Sequence, residues 1–140
     1  MKIFIDTSVF IALCIKQEQD HSQVVKQYYN YIKHKAVFFT SHYIIDELLT
    51  WFSSHKTKFA TEQLLLELEQ MIQDEEIQIL SIGNSIRTQA KKIFLKFFEH
   101  KVSFTDATTY VLYKEFKIDE IFTLDEDFKK MRAKTSLLLP

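Results

Sequence analysis

The segment Lys2–Leu13, KIFIDTSVFIAL, constrains the fold more than any other part of the chain. It opens with the apolar run Ile3–Ile5, which is typical of a buried parallel strand. Asp6 ends this run, and apolar residues then return at helical spacing from Val9 onward. Asp6 is therefore predicted to lie between a strand and a helix, at the carboxyl edge of a sheet, where ligands bind. A simpler interpretation is that Asp6 or Ser8 only caps the helix.

The rest of the chain continues this alternation of strands and helices. The predicted strands are Ile3–Ile5, Ala36–Thr40, Ile77–Ile82, Asp119–Leu124 and Thr135–Leu139. The predicted helices are Val9–Leu13, His21–Lys33, Tyr43–Ser53, Thr61–Gln73, Ile86–Glu99, Phe104–Phe116 and Glu126–Met131. Helical connections of this length allow crossovers between parallel strands. The pattern predicts one domain over residues 1–140, a three-layer α/β/α sandwich with a mostly parallel sheet.

Composition excludes several classes of function. With one glycine and one proline, the chain has no glycine-rich loop for a dinucleotide or a nucleotide phosphate. The single cysteine, Cys14, excludes an intramolecular disulfide and a cysteine-based zinc site, and we expect it to be a buried, inert thiol. No apolar run approaches the ~20 residues that cross a bilayer, and the first residues lack the order of a signal peptide. We therefore expect a cytoplasmic protein without a membrane segment.

Four acidic residues fall at or near one predicted edge of the sheet. They are Asp6, Glu47, Asp106 and Asp125. Asp6 and Asp125 end predicted strands, whereas Glu47 and Asp106 lie in the early turns of predicted helices. Each position also has an ordinary explanation: Asp106 completes a capping box with Ser103, Asp125 or Asp127 charges a helix start, and Glu47 is a solvated helix residue. These explanations do not require the acids to share an edge.

A cluster of carboxylates needs a positive charge, because like charges disfavour ionisation of their neighbours. Hard divalent cations such as Mg²⁺ and Mn²⁺ favour oxygen ligands. An acidic site of this kind suits phosphodiester hydrolysis, in which a metal ion neutralises the phosphate and activates water. The hydroxyl groups that flank the acids are then candidates for orienting water or the scissile oxygens, or else for capping helices. They belong to Thr7, Ser8, Thr105 and Thr123.

Four motifs in their order along the chain resemble the PIN domain, and in particular the toxin ribonucleases of bacterial VapBC toxin–antitoxin pairs. The motifs are Asp6-Thr7-Ser8, Glu47 in the helix Ser41–Leu49, Phe104-Thr105-Asp106-Ala107 and Thr123-x-Asp125-x-Asp127-Phe128. The resemblance implies a ribonuclease that depends on Mg²⁺ or Mn²⁺, with Asp6, Glu47, Asp106 and Asp125 as the acidic set. Either Asp125 or Asp127 can be the fourth acid, and both are candidate metal ligands. The resemblance also implies a homodimer and a small antitoxin that blocks the cleft.

Two other classes of function share these acids. One is a catalytically silent PIN-like module that binds RNA or protein, and the other is an acidic-site nuclease or phosphatase that acts on DNA or small phosphoesters.

An RNA substrate would also need basic side chains beside the acids. One candidate group follows the fourth predicted strand and contains Lys129, Lys130, Arg132 and Lys134. A second ends the helix of Glu47 and contains His55, Lys56 and Lys58. Either group can instead be a solvated basic surface. Aromatic residues Tyr28, Tyr29 and Tyr31, with Leu64–Leu68, form either a groove for a partner helix or part of the core.

Overall fold

Four parallel strands form the sheet of the computed structural model, which describes residues 1–136. The strands are β1 (Lys2–Ile5), β2 (Val37–Ser41), β3 (Ile77–Leu80) and β4 (Glu120–Phe122), in the order β3-β2-β1-β4. In the register of the ladder, Phe4 of β1 lies between Phe39 of β2 and Ile121 of β4. The three side chains are almost completely buried, as expected for a sheet that is covered on both faces.

The strand order creates a switch point beside β1. The chain proceeds from β1 to β2 and β3 on one side, and β4 then pairs with the other side of β1. Connections therefore leave the carboxyl ends of β1 and β4 in opposite directions, which opens a crevice between them. The residues that follow these two strands, Asp6 and Thr123, stand at this crevice.

Seven α-helices and one short 3-10 helix cover the sheet in the described part of the chain. The α-helices are α1 (Thr7–Cys14), α2 (His21–Lys33), α3 (His42–His55), α4 (Lys58–Gln73), α5 (Asn84–Lys96), α6 (Phe104–Glu115) and α7 (Asp127–Lys130), and the 3-10 helix is Phe98–His100. In one group α1 packs on α2 and α3, and α3 on α4; in the other, α5 and α7 pack on α6. The predicted three-layer α/β/α fold is thereby confirmed. None of these helices could span a bilayer.

Several boundaries differ from the predicted ones. Helix α4 begins at Lys58 rather than three residues later, because the Thr57 hydroxyl accepts a hydrogen bond from the Ala60 amide. Of the predicted last strand, Thr135 forms a parallel bridge with Ile121. The amide of Ser136 donates to the Ile121 carbonyl, and residues 137–139 of the predicted strand lie outside the described residues.

The scarcity of glycine is reflected in how the helices end. Five non-glycine residues adopt the left-handed conformation just after a helix: Lys35, Glu75, Lys101, Lys117 and Arg132. Glycine is the usual residue at such positions, and a residue with a Cβ atom costs roughly 1–2 kcal/mol there. The chain therefore carries mild backbone strain at the ends of most of its helices.

Candidate functional site

Asp6 lies at the floor of the crevice between β1 and β4, where only 4% of its surface is exposed. Its backbone amide donates to the Phe122 carbonyl at 3.1 Å, which fixes the residue against the end of β4. Asp6 occupies the N-cap position of α1, but its side chain makes no capping hydrogen bond. Capping alone therefore does not explain a carboxyl group at this buried position.

Two hydroxyl groups hold the Asp6 side chain in place. Thr123 Oγ1 donates to Asp6 Oδ2 at 2.7 Å, and Ser8 Oγ donates to the same oxygen at 3.1 Å. The two hydroxyls also accept backbone hydrogen bonds, Thr123 from the Asp125 amide and Ser8 from the Leu124 amide. Ser8 and Thr123 thus tie β1, α1 and the end of β4 into one unit around Asp6.

Asp106 is both a helix-capping residue and a member of the site. The predicted capping box is present, since Ser103 Oγ accepts from the Asp106 amide at 2.9 Å and Asp106 Oδ2 accepts from the Ser103 amide at 3.4 Å. Its carboxylate nevertheless lies next to those that follow β4, because oxygens of Asp106, Asp125 and Asp127 all lie within 4.8 Å of one another. The capping role and the role in a cluster are therefore compatible.

The loop after β4 contributes two acids instead of one. The Asp127 amide donates to Asp125 Oδ1 at 2.9 Å, which holds the two residues in a tight turn. Lys130 Nζ lies 2.8 Å from Asp127 Oδ1 and is the one lysine or arginine in contact with these acids among residues 1–136. The sequence did not decide whether Asp125 or Asp127 is the fourth acid, and in the structure both lie beside Asp106.

Glu47 stands at the open side of the crevice. The Thr7 hydroxyl donates to Glu47 Oε1 at 2.7 Å, which joins α1 to α3. One turn further along α3, Trp51 stacks on His55 with 4.4 Å between ring centroids. A pocket of about 490 Å³ is lined by Glu47, Trp51 and His55 of α3 and by Thr7 of α1. We call Asp6, Glu47, Asp106, Asp125 and Asp127 the acidic cluster.

Three members of the acidic cluster, Asp6, Asp106 and Asp125, have raised pKa values. Burial raises the pKa of Asp6 from 3.8 to about 6, although the hydroxyl of Thr123 opposes the rise. Burial likewise raises the pKa of Asp106 to about 7, and repulsion from Asp6, Asp125 and Glu47 adds to the effect. Burial also raises the pKa of Asp125. Asp106 thus lies within electrostatic range of Asp6, Asp125 and Glu47, whereas the acids whose oxygens lie within 4.8 Å of one another in residues 1–136 are Asp106, Asp125 and Asp127.

The basic residues do not form the two groups that the sequence predicted. Lys130 and Arg132 line a pocket of about 510 Å³ with Lys96 and Lys114, two residues that the sequence analysis missed. Lys129 is exposed, as are Lys56 and Lys58 of the second predicted group, and none of the three lines this pocket. We call the pocket lined by Lys96, Phe97, His100, Tyr110, Lys114, Lys130 and Arg132 the basic pocket. Thr105 lies half-buried in the first turn of α6.

An apolar groove separates α2 from α4. It has a volume of about 390 Å³ and is lined by α1, α2 and α4 residues that include Phe10, Leu13, Cys14, Tyr28, Tyr29, Leu64, Leu68 and Met71. The prediction that Cys14 is buried is wrong, because the end of α1 opens into this groove and leaves the residue exposed. The surrounding apolar walls still raise the pKa of its thiol to about 11, which keeps it protonated.

Comparisons with known proteins identify the family and the fold. The model of the PIN domain family matches residues 3–134. The fold is similar to that of Mycobacterium tuberculosis VapC20, a toxin that cleaves the sarcin–ricin loop, with a TM-score of 0.78, 20% identity and coverage of 94% of this chain and 95% of that chain. No curated protein gives a significant sequence match.

Two other solved structures have the same fold. One is VapBC2 from Rickettsia felis, bound to a DNA fragment from its promoter, with a TM-score of 0.73, 12% identity and 98% coverage of both chains. The other is FitAcB from Neisseria gonorrhoeae, with a TM-score of 0.69, 18% identity and 95% coverage of both chains. At these identities the similarity concerns the fold.

Proposed function

Because this chain belongs to the PIN domain family, we propose that it is an endoribonuclease that depends on a divalent metal ion to hydrolyse phosphodiester bonds in RNA. The observation that carries the proposal is the acidic cluster, in which the carboxylates that follow β1 and β4 lie near those of α3 and α6 at the switch point of the sheet. The cluster has a buried floor at Asp6 and Asp106 and half-buried walls at Glu47, Asp125 and Asp127. We expect this crevice to accept an RNA strand at an internal position.

The acidic cluster fits Mg²⁺ or Mn²⁺. Its donors are carboxylate oxygens, which hard cations prefer, and Lys130 is a single counter-charge at its edge. The raised pKa values of Asp6 and Asp106 mark the negative charge that such an ion would balance. The five residues of the cluster would hold the ion, which when bound would neutralise the phosphate and lower the pKa of the attacking water.

The hydroxyl groups of the site orient the acids in this proposal. Ser8 and Thr123 fix one oxygen of Asp6, and Thr7 fixes one oxygen of Glu47. A pre-arranged set of carboxylates loses little freedom when a cation binds, which is how surrounding groups support metal ligands. Direct contact of Thr7, Ser8, Thr105, Thr123 and Lys129 with a substrate stays a prediction.

Cleavage assays on three substrates test the proposal. A labelled single-stranded RNA, the matching single-stranded DNA and a small phosphomonoester are each incubated with Mg²⁺, Mn²⁺ or EDTA. We expect internal cleavage of RNA with either ion and none in EDTA. Cleavage of DNA or of the phosphomonoester with equal efficiency would assign the site to another hydrolase class, and RNA binding without turnover would indicate a silent module.

Matched variants connect that activity to the acidic cluster. Asp6→Asn and Asp106→Asn each keep the shape of the side chain and remove a charge, so we expect losses of at least about a hundredfold. Glu126→Gln is the control, because Glu126 lies between Asp125 and Asp127 in sequence but is exposed. Full activity in both aspartate variants would refute the proposed site.

We also propose that the protein is the toxin of a toxin–antitoxin pair, whose small antitoxin inserts a helix into the apolar groove between α2 and α4. The groove presents exposed Tyr29 beside half-buried Tyr28 and has the apolar walls that hold an amphipathic helix. The likeness to VapBC2 and FitAcB in fold supports this assignment. Co-expression with the product of the adjacent short reading frame tests it: a stable complex with wild-type protein and a weakened one with Tyr29→Glu are expected.

We further propose that two copies of the protein form a homodimer through an exposed apolar face of α4. Phe59 and Leu66, seven residues apart and hence on one face of α4, are 70% and 60% exposed. A second copy would cover this apolar surface. Sedimentation of the wild type and of Leu66→Glu tests the assignment, and we expect a dimer and a monomer, respectively.

A further inference from the structure

The basic pocket concentrates positive charge in a chain whose net charge is −1. Four lysine and arginine side chains line it, contributed by α5, α6, α7 and the second residue after α7, and no aspartate or glutamate lines it. Three of the four, Lys96, Lys114 and Arg132, form no ion pair with any of residues 1–136. Unpaired cations around one cavity repel one another, so this arrangement favours an anionic ligand.

Aromatic rings alternate with these cations. Lys96 Nζ lies 5.4 Å from the centre of the Phe97 ring, and Lys114 Nζ lies 5.7 Å from that of Tyr110. Both rings are half-buried in the wall of the pocket. Basic groups combined with aromatic rings are the means by which proteins bind single-stranded nucleic acids, because the cations contact phosphates and the rings stack on bases. An acidic peptide would use only the cations.

The basic pocket is physically continuous with the acidic cluster. Lys130 lines the pocket and also contacts Asp127 of the cluster at 2.8 Å. On α6, Asp106, Tyr110 and Lys114 follow at intervals of four residues, so that one face of the helix leads from the cluster into the pocket. With a rise of 1.5 Å per residue, Lys114 stands about 12 Å along the helix from Asp106. The pocket is therefore placed for a neighbouring nucleotide and not for the bond that is cleaved.

We propose that the basic pocket is a binding subsite for a nucleotide that flanks the cleavage position in single-stranded RNA. This subsite rests on the proposed ribonuclease function. Lys96, Lys114 and Arg132 bind the phosphate groups on either side of the nucleotide, and Tyr110 stacks on its base. The subsite fixes the register of the strand over the acidic cluster.

Equilibrium binding in EDTA tests the subsite without any cleavage. The probe is a fluorescent, single-stranded 2′-O-methyl RNA, and its anisotropy is measured over a range of salt concentrations. We expect the triple variant Lys96→Gln/Lys114→Gln/Arg132→Gln to bind about tenfold more weakly, and the slope of log affinity against log salt to fall by about 2, at about 0.7 for each lost phosphate contact. The control variant Lys16→Gln/Lys26→Gln/Lys33→Gln removes three exposed lysines elsewhere and should keep the wild-type slope.

Tyr110→Leu separates a nucleotide subsite from a general basic surface. We expect this variant to bind the RNA about fivefold more weakly or worse, because one stacked base is lost. Polyglutamate, used as a second probe, should bind the wild type and Tyr110→Leu equally and weakly.

Two outcomes would overturn the subsite: equal RNA affinity of the two triple variants, or polyglutamate binding as tight as that of RNA and equally dependent on the three cations. Because these measurements need neither metal nor turnover, they separate failure of the subsite from failure of the ribonuclease.

Discussion

Replacing Asp106 by asparagine should stabilise the metal-free protein at alkaline pH. The pKa of Asp106 rises from 3.8 to about 7, through burial first and repulsion from Asp6, Asp125 and Glu47 second. The folded state therefore holds its proton more tightly than the unfolded state. Each pKa unit corresponds to about 1.4 kcal/mol, so ionised Asp106 costs the folded protein up to about 4 kcal/mol. Asparagine avoids this cost, and its side-chain carbonyl can still accept from the Ser103 amide.

The sign of the pH dependence follows from the same pKa values. Below about pH 4, Asp106 is protonated in both the folded and unfolded states, and the variant and the wild type should be equally stable. As the pH rises from 4 to 7, the unfolded state releases its proton first, and the wild type loses stability that the variant keeps. At pH 8 in EDTA the full difference of up to about 4 kcal/mol should appear, or roughly 10 °C in melting temperature.

Thermal unfolding followed by circular dichroism measures this difference at pH 4 and pH 8. Mg²⁺ should raise the melting temperature of the wild type at pH 8 more than that of Asp106→Asn, since a ligand that binds the folded state stabilises it. Glu126→Gln should behave as the wild type, because Glu126 is exposed. Equal melting temperatures of Asp106→Asn and the wild type at pH 8 in EDTA would refute the view that burial and neighbouring carboxylates make the ionised form of Asp106 costly to the folded protein.

Two further pairs of variants test the hydrogen bonds and the backbone. Thr123→Val removes a buried hydrogen bond to Asp6, so the free energy of unfolding in a urea titration should fall by about 1–3 kcal/mol. Activity should also fall, because Asp6 is no longer held in place. Thr109→Val removes a buried hydroxyl that has no hydrogen-bond partner among residues 1–136, and it should be neutral or stabilising in the same urea titration. Lys35→Gly should stabilise by about 1 kcal/mol because its φ is 57°, whereas Lys91→Gly within α5 should destabilise by about as much.

The fold was predictable because its signals are local. The short apolar run Ile3–Ile5 forms a buried strand, the predicted strand Ile77–Ile82 forms over Ile77–Leu80, and Ser103 caps a helix as its sequence indicates. Boundaries were less accurate, as at Lys58, because a polar segment such as Ser54–Lys58 fits either a helix start or a loop. The exposure of Cys14 depends on the gap between α2 and α4, and helical spacing within one segment carries no information about such a gap.

The two parts of the candidate site differ in how well the sequence reveals them. In a parallel sheet the carboxyl ends of the strands share an edge, so the approach of Asp6 to Asp125 follows from topology. The basic pocket depends on the packing of α5 against α6, which periodicity alone does not define. One local signal was present: Tyr110 and Lys114 follow Asp106 at the spacing of one and two helical turns.

Asp106 caps a helix and belongs to the acidic cluster at the same time, and the first role helps the second. A buried carboxylate among other carboxylates is costly, and the positive end of a helix offsets part of that cost. The Ser103 amide lowers the pKa of Asp106 in the direction opposite to burial, although burial and repulsion prevail. Asp6 is stabilised in a different way, by the hydroxyl groups of Ser8 and Thr123. The fold thus tolerates a cluster of acids because each buried member has its own hydrogen-bond donors. The negative charge that these donors do not balance favours the binding of a cation.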